Sequence, residues 1–380
     1  MFSDARQRLT RALDAVFPKR RIILARELIE RLRSDPLHVI DVGGALGLDP
    51  RWAPLSSSAI RLMTFEPDAR SYKEMVVPRG SNVALPIGLA DFAGERTLHL
   101  TEAPFASSLY APNEAVLRDF GVWPWYQPAG MATVQVDTLD SCLSRHRDWR
   151  ADFVKVDAEG ADLDVLNGGR AALENTFGVQ VEVAFAARNI GAPLQGEIDD
   201  WLRHAGFVPH LIMREHWVRT NGVHSALSQP QLMWADAVYF RELAWVMDRL
   251  RTAPSAKLAE ARLAAMLAIL LVYGRHDYAA EIVAKVRAAA IVATRFLDEA
   301  DRSIGQSMIG LAHYTLRGFL ALVMALCVAA PLSLIGSRGQ GLARCLIAAQ
   351  AAPLFDALSR AARRTGLNRS CLPDDFNIVA

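Results

Sequence analysis

Cysteine is scarce in this chain of 380 residues. The four present, Cys142, Cys327, Cys345 and Cys371, are scattered without the paired spacing of a disulfide framework or a zinc site. A reducing, cytoplasmic setting is the simplest compartment for such a chain. Net charge is almost absent too, at +1 from Lys+Arg 42 against Asp+Glu 41, so the basic excess that bulk nucleic-acid binding needs is missing. The amino terminus, Met1-Phe2-Ser3-Asp4-Ala5-Arg6, has no apolar core before a cleavage site and does not read as a secretory signal. What the chain does have is 52% hydrophobic residues with 22% charged, the composition of a globular protein with room for one large domain and a smaller one.

Three regions follow from the pattern along the chain. Residues 1–36 read as an N-terminal helical extension, basic through Arg6, Arg8, Arg11, Lys19, Arg20 and Arg21 and divided at Phe17-Pro18. Its charged face fits either a solvated helix packed on a sheet or contact with acidic lipid. Residues 37–245 alternate strand and helix. The strand-like runs are Val39–Val42, Leu62–Phe65, Val83–Ile87, Thr97–Leu100, Thr133–Val136, Phe153–Val156, Val179–Val183, Phe207–Met213 and Leu232–Phe240. Phe153–Val156 and Val179–Val183 have the character of interior strands, which favours a doubly wound α/β fold with a mostly parallel sheet. The last two runs, joined through Asn221-Gly222, read as a terminal antiparallel hairpin.

Residues 246–380 are Ala-, Leu- and Arg-rich and form an α-helical C-terminal region. Leu263, Met266, Leu267, Leu270 and Leu271 recur at helical spacing and predict one buried face. Gly274 is expected to stop that helix before a second one carrying Ala279, Ile282, Val283 and Val286. Residues 318–337 are uncharged and only just long enough to span a bilayer. With four alanines and a proline, they fit a buried core helix or an interfacial hairpin as well as peripheral membrane contact.

The chemistry concentrates at two places. The first is Val39-Ile40-Asp41-Val42-Gly43-Gly44-Ala45-Leu46-Gly47, answered by Met63-Thr64-Phe65-Glu66-Pro67. A β-branched run, a glycine-rich turn, and an acid ending the next strand is how a parallel sheet holds an adenosine cofactor. The nicotinamide fingerprint spacing is not met, and Asp-x-Gly-x-x-x-Gly points to S-adenosylmethionine. The amides of Gly43 and Gly44 and the space beside Gly47 are expected to receive its methionine part. Asp41 would anchor the turn or the ammonium, and Glu66 the ribose hydroxyls. Glu66 equally suits the start of a helix near Pro67. A third contact, near the adenine, is expected at Ala90 and Asp91, where Asp91 also suits a turn.

The second place is Asp152 to Leu163, where a strand delivers Asp157 and Glu159 to its carboxyl end. Acid followed by glycine and a helical run also suits helix capping. Lys155 and Asp157, two residues apart on a strand, share one side of the pleat, and a buried lysine needs such a partner. The aromatic insertion at 101–130, with Phe105, Tyr110, Trp123, Trp125 and Tyr126, suits either a lid over a substrate or a cover for the core. His210, His216 and His224 fit structural positions better than catalytic ones. No cluster has metal-ligand spacing, so no metal is expected.

In order along the chain, several segments resemble the FkbM-type S-adenosylmethionine-dependent methyltransferases. They are Val39–Gly47, Thr64–Asp68, Leu89-Ala90-Asp91 with Gly94, Ser107-Ser108-Leu109, Val136–Asp140, Phe153–Gly160 continuing to Leu166-Asn167-Gly168-Gly169, and Val181-Glu182-Val183. The resemblance spans about 38–242. It implies a Rossmann-like class I methyltransferase sheet and transfer of a methyl group to an oxygen of a sugar, glycolipid or secondary metabolite, with a small molecule or glycan as acceptor. Hydroxyl acceptors need a general base. Asp157 is the first choice for that base or for a group that orients the acceptor, ahead of Glu159 and Glu182. The family usually carries Ala-Asn after the first glycine where this chain has Gly44-Ala45. That departure favours the competing reading, a non-catalytic module whose helical tail docks a partner or membrane. The oligomeric state is not encoded in any motif.

Overall fold

The computed structural model describes residues 24–44, 49–52, 55, 58–75, 82–220 and 229–307. Leu24–Arg302 forms one compact unit. Its centre is β1 (Leu37–Val42), buried along its whole length, as a near-continuous apolar run inside a parallel sheet must be. The chain leaves β1 for β2 (Ile60–Phe65) and β3 (Val83–Leu85) on one side. It later returns on the other side of β1 through β7 (Phe153–Val156) and β8 (Gly178–Ala184). The seven-stranded sheet is completed by β9 (Phe207–Trp217) and β10 (Gln231–Arg241), in the order β3-β2-β1-β7-β8-β10-β9. Strands β3, β2, β1, β7 and β8 are mutually parallel, whereas β10 runs antiparallel to both β8 and β9. The order reverses between β1 and β7, and ligands of open α/β sheets bind outside the carboxyl ends of the strands at that point.

Two of the strand-like runs, around Thr97–Leu100 and Thr133–Val136, belong elsewhere. A second sheet of β4 (Gly88–Leu89), β5 (Gly94–Thr101) and β6 (Pro128–Asp137) has the order β4-β6-β5. Alternation of half-buried and exposed residues along β5 and β6 marks them as strands with one wet face. Between them, residues 101–130 are more ordered than a loop. A turn of 3-10 helix (Pro104–Ala106) and two short helices, α3 (Glu114–Asp119) and α4 (Trp123–Tyr126), bury Ala106, Leu117, Trp123 and Tyr126 in a small core of their own.

Helices cover both faces of the main sheet. On one, Ile40, Val42, Phe65, Val154, Val179 and Val181 pack with Leu139 and Cys142 of α5 (Leu139–Arg145), Val165 and Leu166 of α6 (Asp162–Gly168), and Ile198 and Leu202 of α8 (Gln195–His204). On the other, Trp52, Phe153 and Tyr273 meet ring to ring, with centroids 5.2–5.9 Å apart. The Tyr273 hydroxyl donates to Gln180 Oε1 at 2.7 Å, satisfying a glutamine buried in β8.

Tyr273 ends α10 (Ala256–Val272), which also packs on α1 (Arg26–Ser34). The sequence pattern of α10 predicts a single buried face. Instead its residues from Ala259 to Val272, apart from Arg262, are buried, because helices and sheet surround it. The helix closes as foreseen at Gly274, which has a φ of +70°. The amides of Gly274 and Arg275 turn back to the carbonyls of Leu271 and Leu270. The next helix, α11 (His276–Ala288), buries Ala279, Ile282, Val283 and Val286. Among the described residues no helix is long and apolar enough to cross a membrane. Residues 318–337, the turn at Asn221-Gly222 and the basic segment before residue 24 lie outside the described residues.

Leu267 is fully buried in α10. Its replacement by alanine is expected to cost roughly 2–5 kcal/mol. In a urea titration followed by circular dichroism, the loss should move one shared transition, since α10 and the sheet form a single packed body. Two separate transitions would contradict that.

Candidate active site

The site begins where β1 ends. Gly43 adopts a φ of +76°, and a Cβ built on it would lie 1.8 Å from the carbonyl oxygen of Asp157, so glycine alone lets the turn after β1 close on the turn after β7. A Cβ on Gly44 would lie 2.0 Å from Thr64 Cγ2. The amides of Gly43 and Gly44 both donate to the carbonyl of Phe65, at 3.0 and 3.2 Å. They therefore lash the β1 turn to the end of β2, a role the sequence reading did not foresee for groups expected to face a ligand. Gly47 and Ala45 lie outside the described residues.

Two acids flank this junction. Asp41 is only 2% exposed, and its Oδ1 has no hydrogen-bond donor. The Lys155 ammonium lies 3.5 Å from that oxygen. Burial raises the proton affinity of Asp41 above the usual carboxylate range, and Lys155 works against that rise. Glu66, at the end of β2, is buried and accepts from the Asp68 amide at 2.8 Å. Asp68 caps α2 (Ala69–Glu74) and is held by Arg70 at 2.7 Å and by Ser107 at 2.9 Å. Glu66 thus stands at the start of this helix, as its sequence position allowed, while the cap itself is Asp68. At the third expected contact, Ala90 is buried with its amide bonded to the Asp137 carbonyl, whereas Asp91 is exposed.

The second half of the site follows β7. Lys155 Nζ is 3.0 Å from Asp157 Oδ2, so the shared side of the pleat does place the pair together. Burial opposes charge on Lys155, but Asp157 and Asp41 more than offset it and raise its proton affinity. Glu159 sits in the left-handed region at φ +49°, which costs a non-glycine residue about 1 kcal/mol. Asp162 staples this turn by accepting from the amides of Ala158 (3.1 Å) and Gly160 (3.0 Å). Burial pushes its carboxyl up to about 6 even so. Ser108 donates to the Glu159 carbonyl at 2.7 Å.

Asp157, Glu159 and Glu182, the last from β8, each offer a carboxylate oxygen within 4.8 Å of the others. Three acids so close can hold a divalent cation, although no metal was expected from their spacing in sequence. Here a positive charge already stands among them. Arg188, buried just beyond β8, lies 2.7 Å from Glu182 and 3.6 Å from Glu159. Burial pushes Glu159 up to about 7. Arg188 pulls its proton affinity down, and Asp157 and Asp162 push it up further. Glu182 is likewise raised, by burial.

The sequence reading missed Arg188 and Asp162 as site residues. The available signal for Arg188 was a lone charge in Ala184-Phe185-Ala186-Ala187-Arg188, just past an interior strand. His210 is remote from this chemistry in its contacts, packing against the rings of Phe240 and Tyr278. His224 lies outside the described residues.

A switch point of an open α/β sheet, where ligands of such sheets bind, is bordered here by two buried acids on one side and a carboxylate cluster on the other. Residues 41–209 match the methyltransferase FkbM domain. That match supports a methyltransferase. No curated protein matches the chain.

Gly43 and Gly191 share a φ of +76°, but nothing lies within 4 Å of a Cβ at Gly191. Gly191→Ala should therefore cost only the left-handed strain of about 1–2 kcal/mol. Gly43→Ala should cost clearly more, because the Asp157 carbonyl must also move. Equal denaturation midpoints for the two variants would refute the close approach.

Glu159 also makes stability depend on pH. Its folded carboxyl titrates near 7 against an ordinary 4.5, so between those values the folded state holds more protons than the unfolded one. Stability from this group is present at low pH and declines as pH rises from about 4.5 to about 7. Glu159→Gln should flatten that decline in urea titrations run across the range.

Proposed function

We propose that the domain transfers the methyl group of S-adenosylmethionine to a hydroxyl of a small polyhydroxylated acceptor, such as a sugar, glycolipid or secondary metabolite. The observation that carries this reading is the juxtaposition of Asp41 and Glu66, buried at the ends of neighbouring strands, with the carboxylate cluster across the switch point. The residues suit the cofactor. Asp41 keeps a buried oxygen without a donor, fit for an ammonium or a water bound to it, and Glu66 offers a carboxylate for ribose hydroxyls. Asp91, exposed at the rim, would meet the adenine. The order β3-β2-β1-β7-β8-β10-β9 with one reversed strand supports a class I methyltransferase arrangement.

When bound, S-adenosylmethionine supplies an electrophilic methyl carbon on a sulfonium that leaves as a neutral thioether. The chain has to orient an acceptor oxygen for in-line attack, exclude water and receive a proton. Asp157, the most open of the three acids and held by Lys155, orients the acceptor hydroxyl. Glu159, whose carboxyl titrates near 7, takes its proton.

Isothermal titration with S-adenosylmethionine should show one site per chain, and Glu66→Ala should weaken it about 100-fold, through two hydrogen bonds to a charged acceptor. Unchanged affinity in the folded variant would remove Glu66 from the ribose role. Incubation with methyl-labelled cofactor and a fractionated glycan or metabolite extract should place label in an alkali-stable ether. Label in amines would contradict transfer to oxygen.

A further inference from the structure

Arg188 carries a charge that the reaction itself does not require. Its side chain is 4% exposed, and burying a guanidinium is costly unless its partners are well placed. Its Nη2 donates to Glu182 at 2.7 Å, its Nη1 reaches the Tyr126 hydroxyl at 3.4 Å and Glu159 at 3.6 Å, and its Cζ lies 5.6 Å from the centroid of the Trp234 ring. The backbone that carries it is tied to the segment ahead of α3. Asn113 donates from its amide to the Arg188 carbonyl (2.7 Å) and from its side chain to the Ala187 carbonyl (2.9 Å). Ile190 donates to the Ala111 carbonyl, and Asn189 Nδ2 to the Tyr110 carbonyl. The insertion at 101–130 therefore fixes Arg188 twice, through residues 110–113 and through Tyr126.

We propose that Arg188 is a positioning residue: set by the insertion, its guanidinium holds the Glu159 and Glu182 carboxylates side by side at the carboxyl edge of the sheet, so that Glu159 faces the acceptor as proton acceptor. The proposal rests on the proton-accepting role given above to Glu159. Two carboxylates this close repel, and without an opposite charge one takes a proton or swings toward water. The groups facing Glu159 are Lys155, Asp157 and Asp162 from β7 and its turn, Glu182 from β8, and Tyr126 from the insertion. Among the described residues Arg188 is the cation at ion-pair distance from it. A planar fork can serve two carboxylates at once, which the point charge of a lysine does not.

The full chain labelled with 13C at the glutamate carboxyl provides the test, with Glu159 and Glu182 resonances assigned through Glu159→Gln and Glu182→Gln. Removing the guanidinium in Arg188→Met is expected to move the Glu159 titration midpoint upward by about one pH unit or more. Arg188→Lys should move it upward by less. If Arg188→Met does not fold, the lysine variant carries the test. A Glu159 midpoint unchanged in a folded variant overturns the proposal. Titration calorimetry with S-adenosylhomocysteine separates this from the parent reading. Affinity should stay within about threefold in the Arg188 variants, because Arg188 contacts neither Asp41 nor Glu66. Failure of the unaltered protein to bind the nucleoside would sink the methyl-transfer reading while leaving the midpoint shift to decide the role of Arg188.

Discussion

One half-buried ammonium ties the two halves of this site together. Lys155 reaches Asp157 on its own strand and Asp41 on the neighbouring one, across the line where the order of the sheet reverses. Strands that part at a switch point leave a crevice, and the charges lining it would repel without a cation between them. With Lys155 in place, the turn after β1 settles against the turn after β7 so closely that Gly43 has no room for a side chain. The position of Glu66 follows, because the amides of Gly43 and Gly44 take hold of the carbonyl just before it.

The same economy of opposite charges extends outward. Lys155 serves the β1–β7 junction and Arg188 serves the β7–β8 junction, so each of these two acid-bearing gaps also carries a cation. The cations differ in kind: an ammonium on a straight stem fits between two strands, and a planar fork spans two carboxylates. On the second face of the sheet Tyr273, at the end of α10, meets Trp52 and Phe153, and α1 packs on α10, so Leu24–Arg302, including helices beyond residue 245, packs as one body.

The strands were legible because burial on both faces leaves a near-continuous apolar run that few other environments tolerate. Lys155 and Asp157 were legible as a pair because a strand repeats every two residues. The sequence did not disclose that Thr97–Leu100 and Thr133–Val136 leave the main sheet, since pairing partners are not written into a strand's own pattern. The character of α10 was misread for a similar reason. A helical stripe of leucines announces one buried face, but the alanines between them are neutral until neighbours close over them. Arg188 stayed hidden because its partners are contributed by β8, the β7 turn and the insertion, which meet only after folding.

The residues by themselves fixed the alternation of elements, the glycine turn, the acids at the strand ends and the family these segments resemble, all of which depend on local spacing. Tertiary structure alone decided which charges neutralise which, that the amides of Gly43 and Gly44 bind a carbonyl, and that Asp68 takes the cap while Glu66 stays at the strand end. These are matters of distance between segments far apart in the chain. Electrostatic and hydrogen-bond energies depend on that distance and on burial, neither of which a linear pattern contains.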